Sequence, residues 1–265
     1  MIRAPATFVG FDSAWAENPK APGAICIAVF DGTRFTSFTE PTLVGFEAAA
    51  ACIRAIPADG PIIVAIDQPT IVCSATGMRA AEKVAASVIS WVGGGVQPAN
   101  RGRIGMFDDG APIWRFLHAI EAIDDLVRAR TATSGVCIME SFPALALLSF
   151  DVRFFERRLG PRYNPARKTF RIENWSAVVS TVSVEAARLG CPAVAAWLAA
   201  LRALAKPRKA DQDRLDAVIC LLIAVRWHLK PRERSAMIGD LDAGYTVAPV
   251  SPPVREKLKA TRYKV

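Results

Sequence analysis

Three acidic side chains in this sequence each follow a short, uninterrupted apolar segment. Asp12 ends the segment FVGFD, Asp67 ends IIVAID, and Glu140 ends VCIME. Apolar segments without polar alternation are typical of strands buried on both faces, as in a sheet flanked by helices. The carboxyl ends of such strands form the crevice in which open α/β sheets bind ligands. The side chain of an aspartate at a strand end can also simply hydrogen-bond the backbone of the turn that follows it. Three acids in the same setting, however, indicate a shared site.

Two further acids lie near the start of a long apolar helix predicted for residues 210–228. Asp213 and Asp216 are three residues apart and therefore share one helix face. The helix dipole would explain Asp211, as the N-cap residue, and it would also favour Asp213. It explains Asp216 least, because that residue adjoins the apolar part of the helix, where an unpaired charge is costly. We therefore add Asp213 and Asp216 to the candidate site.

A site made only of acids points to metal chemistry. Clustered carboxylates repel one another and take up protons unless a cation neutralises them. Hard oxygen ligands suit Mg²⁺ or Mn²⁺. Two such ions can activate a water molecule and stabilise the leaving oxygen of a phosphodiester. Zinc is not expected, because the sequence contains only two histidines.

The glycine-rich segment 93–112 separates two predicted helices. A structureless segment of this length is unusual inside a compact domain and often forms a functional lid. Its cations Arg101 and Arg103 are candidates for contact with phosphate. A mobile surface loop is the alternative interpretation.

The densest basic region covers residues 153–175 and interleaves cations with aromatic residues. This combination suits a nucleic-acid surface, because charge binds phosphate and rings stack on unpaired bases. We select Arg167 and Lys168 there, and Arg79 at the start of a helix predicted for residues 78–91, as candidate nucleic-acid contacts. A solvated basic face with its aromatic rings in the core is an equally good interpretation of residues 153–175.

The composition places the chain among globular proteins. Its 265 residues are enough for one large domain or two small ones, and its net charge of +8 is consistent with a polyanionic partner such as nucleic acid. The six cysteines form no C-x-x-C pair and are expected to be reduced. The sequence shows no signal pattern and no apolar segment of about 18 residues, the length that a membrane helix needs. We therefore expect a cytoplasmic protein without a membrane contact.

The remaining pattern predicts a mixed sheet in which the strands that end at Asp12 and Asp67 lie side by side. Strands are predicted for residues 7–12, 24–30, 33–39, 61–66 and 135–140, with an Asp-Gly hairpin between the second and third. Helices are predicted for residues 43–56, 78–91, 113–131, 176–189, 193–205 and 210–228. His118, inside the third predicted helix, is expected in the core. The tail from residue 249 is rich in proline and then basic, and we expect it to be ordered only by docking.

The order of several motifs resembles a known family. The motifs VGFD, the DG hairpin, VAIDQP, GMRAAE, IMESFP and DQDRLDA follow one another over residues 7–228. Their order and spacing resemble those of the predicted RNase H-like nucleases of the domain-of-unknown-function family 429. The resemblance implies an α/β fold with an RNase H-like mixed five-stranded sheet of order 3-2-1-4-5, flanked by helices. We expect residues 1–265 to form a single domain of this kind, with a basic helical insertion near residues 150–205.

The resemblance also implies a metal site to which Asp12, Asp67, Glu140 and Asp213 or Asp216 map. In the expected mechanism, Asp12 bridges two Mg²⁺ or Mn²⁺ ions, because its strand is central in the implied sheet. Asp67 and Glu140 each hold one ion, Asp216 closes the cluster, and Asp213 lies at its rim. The expected activity is metal-dependent hydrolysis of phosphodiester bonds in nucleic acid.

Two other classes of function stay open. A non-catalytic nucleic-acid-binding or scaffold protein would keep the fold and the basic surface without needing the acids. An actin-like ATP-binding phosphotransferase would share the sheet, but such proteins carry a Gly-Thr phosphate hairpin after the first aspartate, and the segment DSAW lacks it.

Overall fold

The computed structural model describes residues 4–261, and a five-stranded sheet forms its centre. The strands are Ala6–Asp12 (β1), Gly23–Phe30 (β2), Phe35–Val44 (β3), Ile62–Ile66 (β4), Val136–Glu140 (β5), Ser235–Asp240 (β6) and Gly244–Pro249 (β7). The helices are Phe46–Arg54 (α1), Ala80–Ile89 (α2), Pro112–Ala119 (α3), Leu126–Thr131 (α4), Pro143–Phe150 (α5), Val152–Phe155 (α6), Ile172–Arg188 (α7), Pro192–Arg202 (α8), Lys209–Leu229 (α9) and Pro252–Lys259 (α10).

The strand order of the central sheet is β3-β2-β1-β4-β5, which confirms the order that the resemblance implied. β1 pairs antiparallel with β2 and parallel with β4, and β4 pairs parallel with β5. Phe11 pairs with Ile66, and the N–H of Asp67 donates to the carbonyl of Phe11 at 2.9 Å. Asp12 and Asp67 therefore follow adjacent central strands, as predicted.

Alternate residues of β1 pack against opposite layers of helices. Phe8 belongs to the apolar core that includes α2, α5, α7 and α9. Val9 and Phe11 belong to the core on the other face, with α1 and α3. The ring of Phe11 lies 5.7 Å from that of Phe46 and 5.3 Å from that of Phe116, and each such aromatic pair contributes about 0.5–1.5 kcal/mol beyond area burial. Because successive side chains of a strand point to opposite faces, the uninterrupted apolar segment of β1 supplies both layers of the core.

Helix α9 lies against β1 because Gly10 has no side chain. A Cβ atom at Gly10 would lie 1.9 Å from the carbonyl oxygen of Ala217 and 2.5 Å from the amide nitrogen of Leu221. Both are backbone atoms of α9, so a side chain at Gly10 would have to push the whole helix away. The close approach brings Asp216, one residue before Ala217, to the end of the sheet that carries Asp12.

The start of α9 differs from the prediction. The helix begins at Lys209, and Asp211 lies in its first turn instead of at the N-cap. Its carboxylate accepts a hydrogen bond from the backbone N–H of Arg208 at 2.8 Å. The side chain therefore still satisfies a backbone donor at the helix start, but from inside the helix.

Two predicted helix boundaries were wrong. The helix expected for residues 43–56 begins only at Phe46, because β3 continues to Val44. The helix expected for residues 113–131 is broken into α3 and α4, since Ile123 leaves the helix and forms a bridge with Cys137 of β5. Pairing with the sheet edge overrides the helical periodicity there.

The break between α3 and α4 contains a residue with a left-handed backbone conformation, and the histidine shortly before it is exposed. Glu121 lies at the break with a φ of 50°, in the left-handed region. His118, which was expected in the core, is exposed near the end of α3.

The carboxyl-terminal part contains a hairpin that the sequence pattern did not predict. β6 and β7 form a two-stranded antiparallel sheet, and Tyr245 and Val247 of β7 are buried. Val247 also forms a bridge with Ser141, which ties the hairpin to the end of β5. The described part of the tail contains the helix α10, whose Val254 is buried against the core, while residues 262–265 of the tail lie outside the described residues.

The basic region near residues 150–205 contains α6, α7 and α8, with residues 156–171 between α6 and α7 outside any helix or strand. Its predicted helix bounds were late, since α7 begins at Ile172 and α8 at Pro192.

Candidate active site

A cavity of about 340 Å³ opens where the carboxyl ends of β1 and β4 meet the first turns of α9. Four of the acids selected from the sequence line it, and Arg79 lines it as well; the acids are Asp12, Asp67, Glu140 and Asp216. The topology therefore brings together residues that are up to 204 positions apart in the chain, from Asp12 to Asp216.

Asp12, Asp67 and Asp216 form an electrostatic cluster. Asp12 is 6% exposed and Asp216 is 3% exposed. Burial, and then the charges of Asp67 and Asp216, raise the pKa of Asp12 well above its usual range. Burial, and then the charge of Asp216, raise the pKa of Asp67 in the same way. The three carboxylates thus lie close enough to oppose one another's ionisation.

Asp216 is held by two neutral donors. The hydroxyl of Tyr163 donates to one carboxylate oxygen at 2.7 Å, and the side-chain amide of Gln212 donates to the other. Burial raises the pKa of Asp216 to about 6, while the hydrogen bond from Tyr163 and the charge of Lys209 act in the opposite direction. These partners fix the orientation of the carboxylate without removing its charge.

Lys209 supplies a cation beside the acid cluster. Its ammonium donates to the carboxylate of Asp213, four residues further along α9, and its side chain is 49% exposed. Lys209 lines the cavity, and its charge opposes the rise in the pKa of Asp12 and Asp67. Asp213 shares this helix face but is not among the described residues that line the cavity, so it lies at the margin of the site.

Glu140 is bound by Arg79 instead of joining the three aspartates. The Arg79 guanidinium donates to both oxygens of Glu140, at 2.8 and 2.7 Å, and to Glu82 at 2.9 Å. Glu140 pairs with Ile66 in the sheet register and is therefore one position earlier than Asp67. Arg79 is 2% exposed and buried between two carboxylates, so its guanidinium already has anionic partners. Burial raises the pKa of Glu140, and the charge of Arg79 opposes that shift.

The turn that follows Asp12 is strained and pinned to the end of β4. Ala14 and Trp15 both adopt left-handed backbone angles, with φ of 55° and 64°. Such conformations cost about 1–3 kcal/mol each for residues other than glycine and persist only where neighbouring contacts impose them. The indole N–H of Trp15 donates to the carbonyl of Asp67 at 2.7 Å, and the side-chain amide of Gln68 donates to the carbonyl of Trp15 at 3.3 Å. These two hydrogen bonds tie the turn after Asp12 to the residues at the end of β4, Asp67 and Gln68.

The glycine-rich segment is packed over the cavity. Residues 93–111 contain no helix or strand, yet the backbone N–H of Ala99 donates to both oxygens of Glu82 at 3.0 Å. Phe107 is fully buried, and Met106 lines the cavity. The segment is thus anchored to α2 through Glu82, which favours a fixed wall of the cavity over a mobile surface loop.

The two arginines of this segment have different surroundings. The guanidinium of Arg101 pairs with Asp109 and lies 5.1 Å from the centre of the Trp114 ring. The guanidinium of Arg103 contacts the sulfur of Met106 at 3.9 Å. Arg103 therefore lies next to a residue that lines the cavity, whereas Arg101 already has an anionic partner.

The basic region 153–175 divides into exposed cations and buried rings. Arg167 and Lys168 are exposed, outside the cavity. Phe154 and Trp175 are fully buried, and Tyr163 is 5% exposed and bonded to Asp216. The buried rings are core residues, which agrees with the alternative interpretation of this region and removes these three as stacking surfaces.

The donor atoms around the cavity suit a hard cation. Asp12, Asp67 and Asp216 offer carboxylate oxygens, and the amide oxygen of Gln212 is buried without a hydrogen-bond partner among the described residues. In their present positions, no three His, Cys, Asp or Glu side chains among residues 4–261 form a group that could hold a metal ion. Mg²⁺ is commonly bound through only one or two carboxylates, with water and substrate phosphates completing its shell. The chemistry of the donors therefore fits Mg²⁺ or Mn²⁺.

Several residues of the site were not selected from the sequence. Lys209 could have been found, because it lies seven residues before Asp216 and thus on the same helix face. Tyr163 was noted only as a ring for stacking, and its contact with Asp216 spans 53 positions without a local signal. Thr246 lines the cavity from the unpredicted hairpin, and its buried hydroxyl has no partner within the described part of the chain.

The fold and the site together define an α/β protein with an RNase H-like sheet topology and an acidic cavity at the strand ends. The family described as "Protein of unknown function (DUF429)" matches residues 10–240, and the chain belongs to this family. No curated protein and no solved structure matches the chain. Among the described residues, no helix has the length and apolar character that crossing a membrane requires.

Proposed function

We propose that this protein hydrolyses phosphodiester bonds in nucleic acid with the help of a divalent metal ion. The observation that carries the proposal is the convergence on one cavity of Asp12 and Asp67, at the ends of adjacent strands, and Asp216 of α9, with the pKa of Asp12 and of Asp67 raised by burial and by neighbouring carboxylates. Buried carboxylates that oppose one another's ionisation create a strong demand for a cation. Purely structural turn residues would not need to share one cavity.

In this proposal Asp12, Asp67 and Asp216 hold Mg²⁺ or Mn²⁺ through their carboxylate oxygens. When bound, such an ion supplies Lewis acidity toward a phosphate group. Tyr163 and Gln212 orient Asp216 for this role. Glu140 adds negative charge at the edge of the cluster, since its charge also raises the pKa of Asp67. Arg79 already donates to both carboxylate oxygens of Glu140. Glu140 would therefore contact the ion directly only by sharing its oxygens between Arg79 and the ion.

Substrate would be bound by cations around the cavity. Lys209 is half exposed at the cavity wall, where its ammonium can meet a phosphate oxygen. Arg103 lies beside the wall residue Met106, and Arg167 and Lys168 add exposed positive charge. The net charge of +8 supports a polyanionic substrate, because phosphate contacts from lysine and arginine supply most of the non-specific affinity for nucleic acid.

The test is a cleavage assay on labelled RNA, DNA and hybrid substrates with Mg²⁺, Mn²⁺ or chelator. Asp12→Asn keeps the shape of the side chain and removes its charge, so it should abolish metal-dependent cleavage. Asp59→Asn is the matched control, because Asp59 is exposed and lies away from the cavity. Cleavage that persists in chelator, or equal cleavage by the wild type and Asp12→Asn, would reject the proposal.

A second candidate function is nucleic-acid binding without catalysis. It is favoured by Lys209, whose ammonium already offsets part of the negative charge in the cluster. In that case the wild type and Asp12→Asn would both bind the labelled substrates, and neither would cleave them.

A further inference from the structure

A second cavity, of about 450 Å³, lies where the end of α9 meets α7 and the start of α10. Its charged lining consists of Arg188, Arg226, Lys230, Arg234 and the single acid Glu185. Four cations therefore line the cavity with one carboxylate, and two of them, Arg188 and Arg234, lie at its exposed margin. An excess of positive charge inside a concave surface raises the local concentration of anions.

This cavity is separate from the acidic one. The two share no lining residue within the described chain. Arg226 lies ten residues after Asp216 on α9, which corresponds to about 15 Å along the helix axis. A ligand in this second cavity therefore need not touch the acid cluster.

The only acid in the lining is already engaged. Glu185 is 2% exposed, and its carboxylate accepts a hydrogen bond from the guanidinium of Arg226. The guanidinium of Arg188 lies 3.9 Å from the other oxygen of Glu185. For Lys230 and Arg234, the described residues provide no carboxylate within ion-pair distance. The cavity thus presents two cations that Glu185 does not neutralise.

A hydroxyl without a partner lies in the same lining. The Ser251 hydroxyl is buried and makes no hydrogen bond with the described residues. Although Ser251 precedes α10, its side chain does not cap that helix. Its backbone N–H is satisfied separately, by donation to the Ser149 hydroxyl at 3.0 Å. A buried hydroxyl without a partner is unfavourable in a folded protein unless another molecule supplies the bond.

The surroundings of the cavity are crowded with like charges. Burial, and then the charges of Arg130 and Arg255, lower the pKa of Arg232, which lies between Lys230 and Arg234 in the chain. Glu233 is the nearby acid that acts in the opposite direction, and it is exposed. This crowding shows that the excess of positive charge extends around the cavity.

We infer that this second cavity binds a phosphate group. Guanidinium, ammonium and hydroxyl donors match the oxygens of phosphate, and charge-assisted bonds of this kind are the strong ones. The side chain of Arg226 is 14% exposed and Lys230 is half-buried, so these two cations are partly withdrawn from water beside the buried Ser251 hydroxyl, whereas a purely solvated basic face would leave all its cations exposed. The phosphate can belong to a free anion or to the backbone of a nucleic-acid strand, and these sources are separated by experiment.

The test compares the full-length wild type with three variants in the presence of chelator. Lys230→Gln/Arg234→Gln removes the two cations that Glu185 does not neutralise. Ser251→Ala removes the unpaired hydroxyl without removing a helix cap. Arg54→Gln/Arg202→Gln is the matched control, since it removes the same charge from exposed positions outside the cavity. Inorganic phosphate binding is measured by calorimetry at constant ionic strength, and binding of a labelled single-stranded oligonucleotide is measured by fluorescence anisotropy.

The inference expects the wild type to bind inorganic phosphate and Lys230→Gln/Arg234→Gln to bind it about tenfold more weakly or worse. Ser251→Ala should also weaken binding, while the control double variant retains it. The same pattern with the oligonucleotide alone would identify a nucleic-acid backbone as the source of the phosphate. The inference is overturned if the wild type binds neither probe, if the cavity variants bind as the wild type does, or if the control loses as much affinity as they do.

Discussion

Ionisation of Asp12 is unfavourable in the folded protein. Its pKa is raised by burial and by Asp67 and Asp216, so the folded protein holds a proton there more tightly than the unfolded chain does. By linkage, such a group contributes stability below its folded pKa and loses it as the pH rises through that pKa. For Asp216 this window runs from the usual value of 3.8 to about 6. The raised pKa values therefore make the metal-free protein less stable at neutral pH than at acidic pH.

We predict that Asp12→Asn raises the melting temperature of the metal-free protein at pH 7.5 by about 2 °C or more. The gain should shrink at pH 5, because the wild-type cluster is then partly protonated. Thermal unfolding in chelator, followed by circular dichroism at both pH values, measures the difference. A lower melting temperature for Asp12→Asn at pH 7.5 would mean that the charge of Asp12 stabilises the fold.

Tyr163 is expected to act on the site through Asp216. Its hydroxyl donates to the Asp216 carboxylate at 2.7 Å and thereby favours the ionised form. Tyr163→Phe removes this donor, so the pKa of Asp216 should rise above its present value of about 6. Carboxyl ¹³C NMR of aspartate-labelled protein measures the shift. The exposed Asp31, whose pKa is lowered to about 2 by backbone and hydroxyl donors, is an internal reference that should not move. An unchanged midpoint for Asp216 would show that the Tyr163 hydrogen bond is not maintained in solution.

At the scale of elements, the contact between β1 and α9 positions the site. Gly10→Ala would place a methyl group 1.9 Å from a backbone oxygen of α9, so the helix must move or the protein must unfold. We predict a loss of several kcal/mol in the free energy of unfolding, of the order seen for overpacked cores. Gly45→Ala is the control, because a Cβ there meets nothing within 4 Å, and it should cost about 1 kcal/mol or less. Denaturant unfolding measures both, and equal stability of the two variants would contradict the close approach of α9 to β1.

The elements that could be predicted from sequence are those whose pattern of apolar residues matches the burial of the element in the fold. β1, β4 and β5 are buried on both faces, so an apolar segment with an acid at its end was sufficient to find them. The break between α3 and α4 was missed, since Ile123 leaves the helix only because it pairs with β5. The hairpin of β6 and β7 was missed because β6, with the sequence SAMIGD, is short and mostly half-buried and shows neither polar alternation nor a long apolar segment. Both the break and the hairpin depend on pairing between segments in the folded protein. The periodicity of a single sequence does not reveal such pairing.

For the whole molecule, the proposed function expects part of the net charge of +8 to form a nucleic-acid-binding surface. Arg167 and Lys168 are exposed and adjacent in a loop of the basic region. We predict that Arg167→Ala/Lys168→Ala weakens nucleic-acid binding and reduces the slope of log K against log salt by up to about 2, since each lost phosphate contact contributes about 0.7–0.9. Arg54→Ala/Arg202→Ala is the control of equal charge. A salt titration in which both double variants match the wild type would remove this loop from the binding surface.

The site itself was predictable in part. The strand-end acids Asp12 and Asp67 were predicted on adjacent strands, because the carboxyl ends of parallel strands meet at one edge of a sheet. The pairing of Glu140 with Arg79 was not predicted, since it depends on how α2 packs against β5 across 61 positions. The contact between Tyr163 and Asp216 was hidden for the same reason. Local patterns locate charged groups, whereas their partners depend on the assembled fold.

The proposal that Asp12, Asp67 and Asp216 hold a divalent cation can be tested by Mn²⁺ binding. Titration of the metal-free protein, followed by calorimetry and by the EPR signal of free Mn²⁺, compares the wild type with Asp12→Asn, Asp216→Asn and the control Asp59→Asn. We expect the wild type and Asp59→Asn to bind Mn²⁺ alike. Each cluster variant should bind Mn²⁺ at least about tenfold more weakly, since a carboxylate ligand is lost. Binding of Mn²⁺ by Asp12→Asn with wild-type affinity, or no binding by the wild type, would show that these aspartates do not form the proposed metal site.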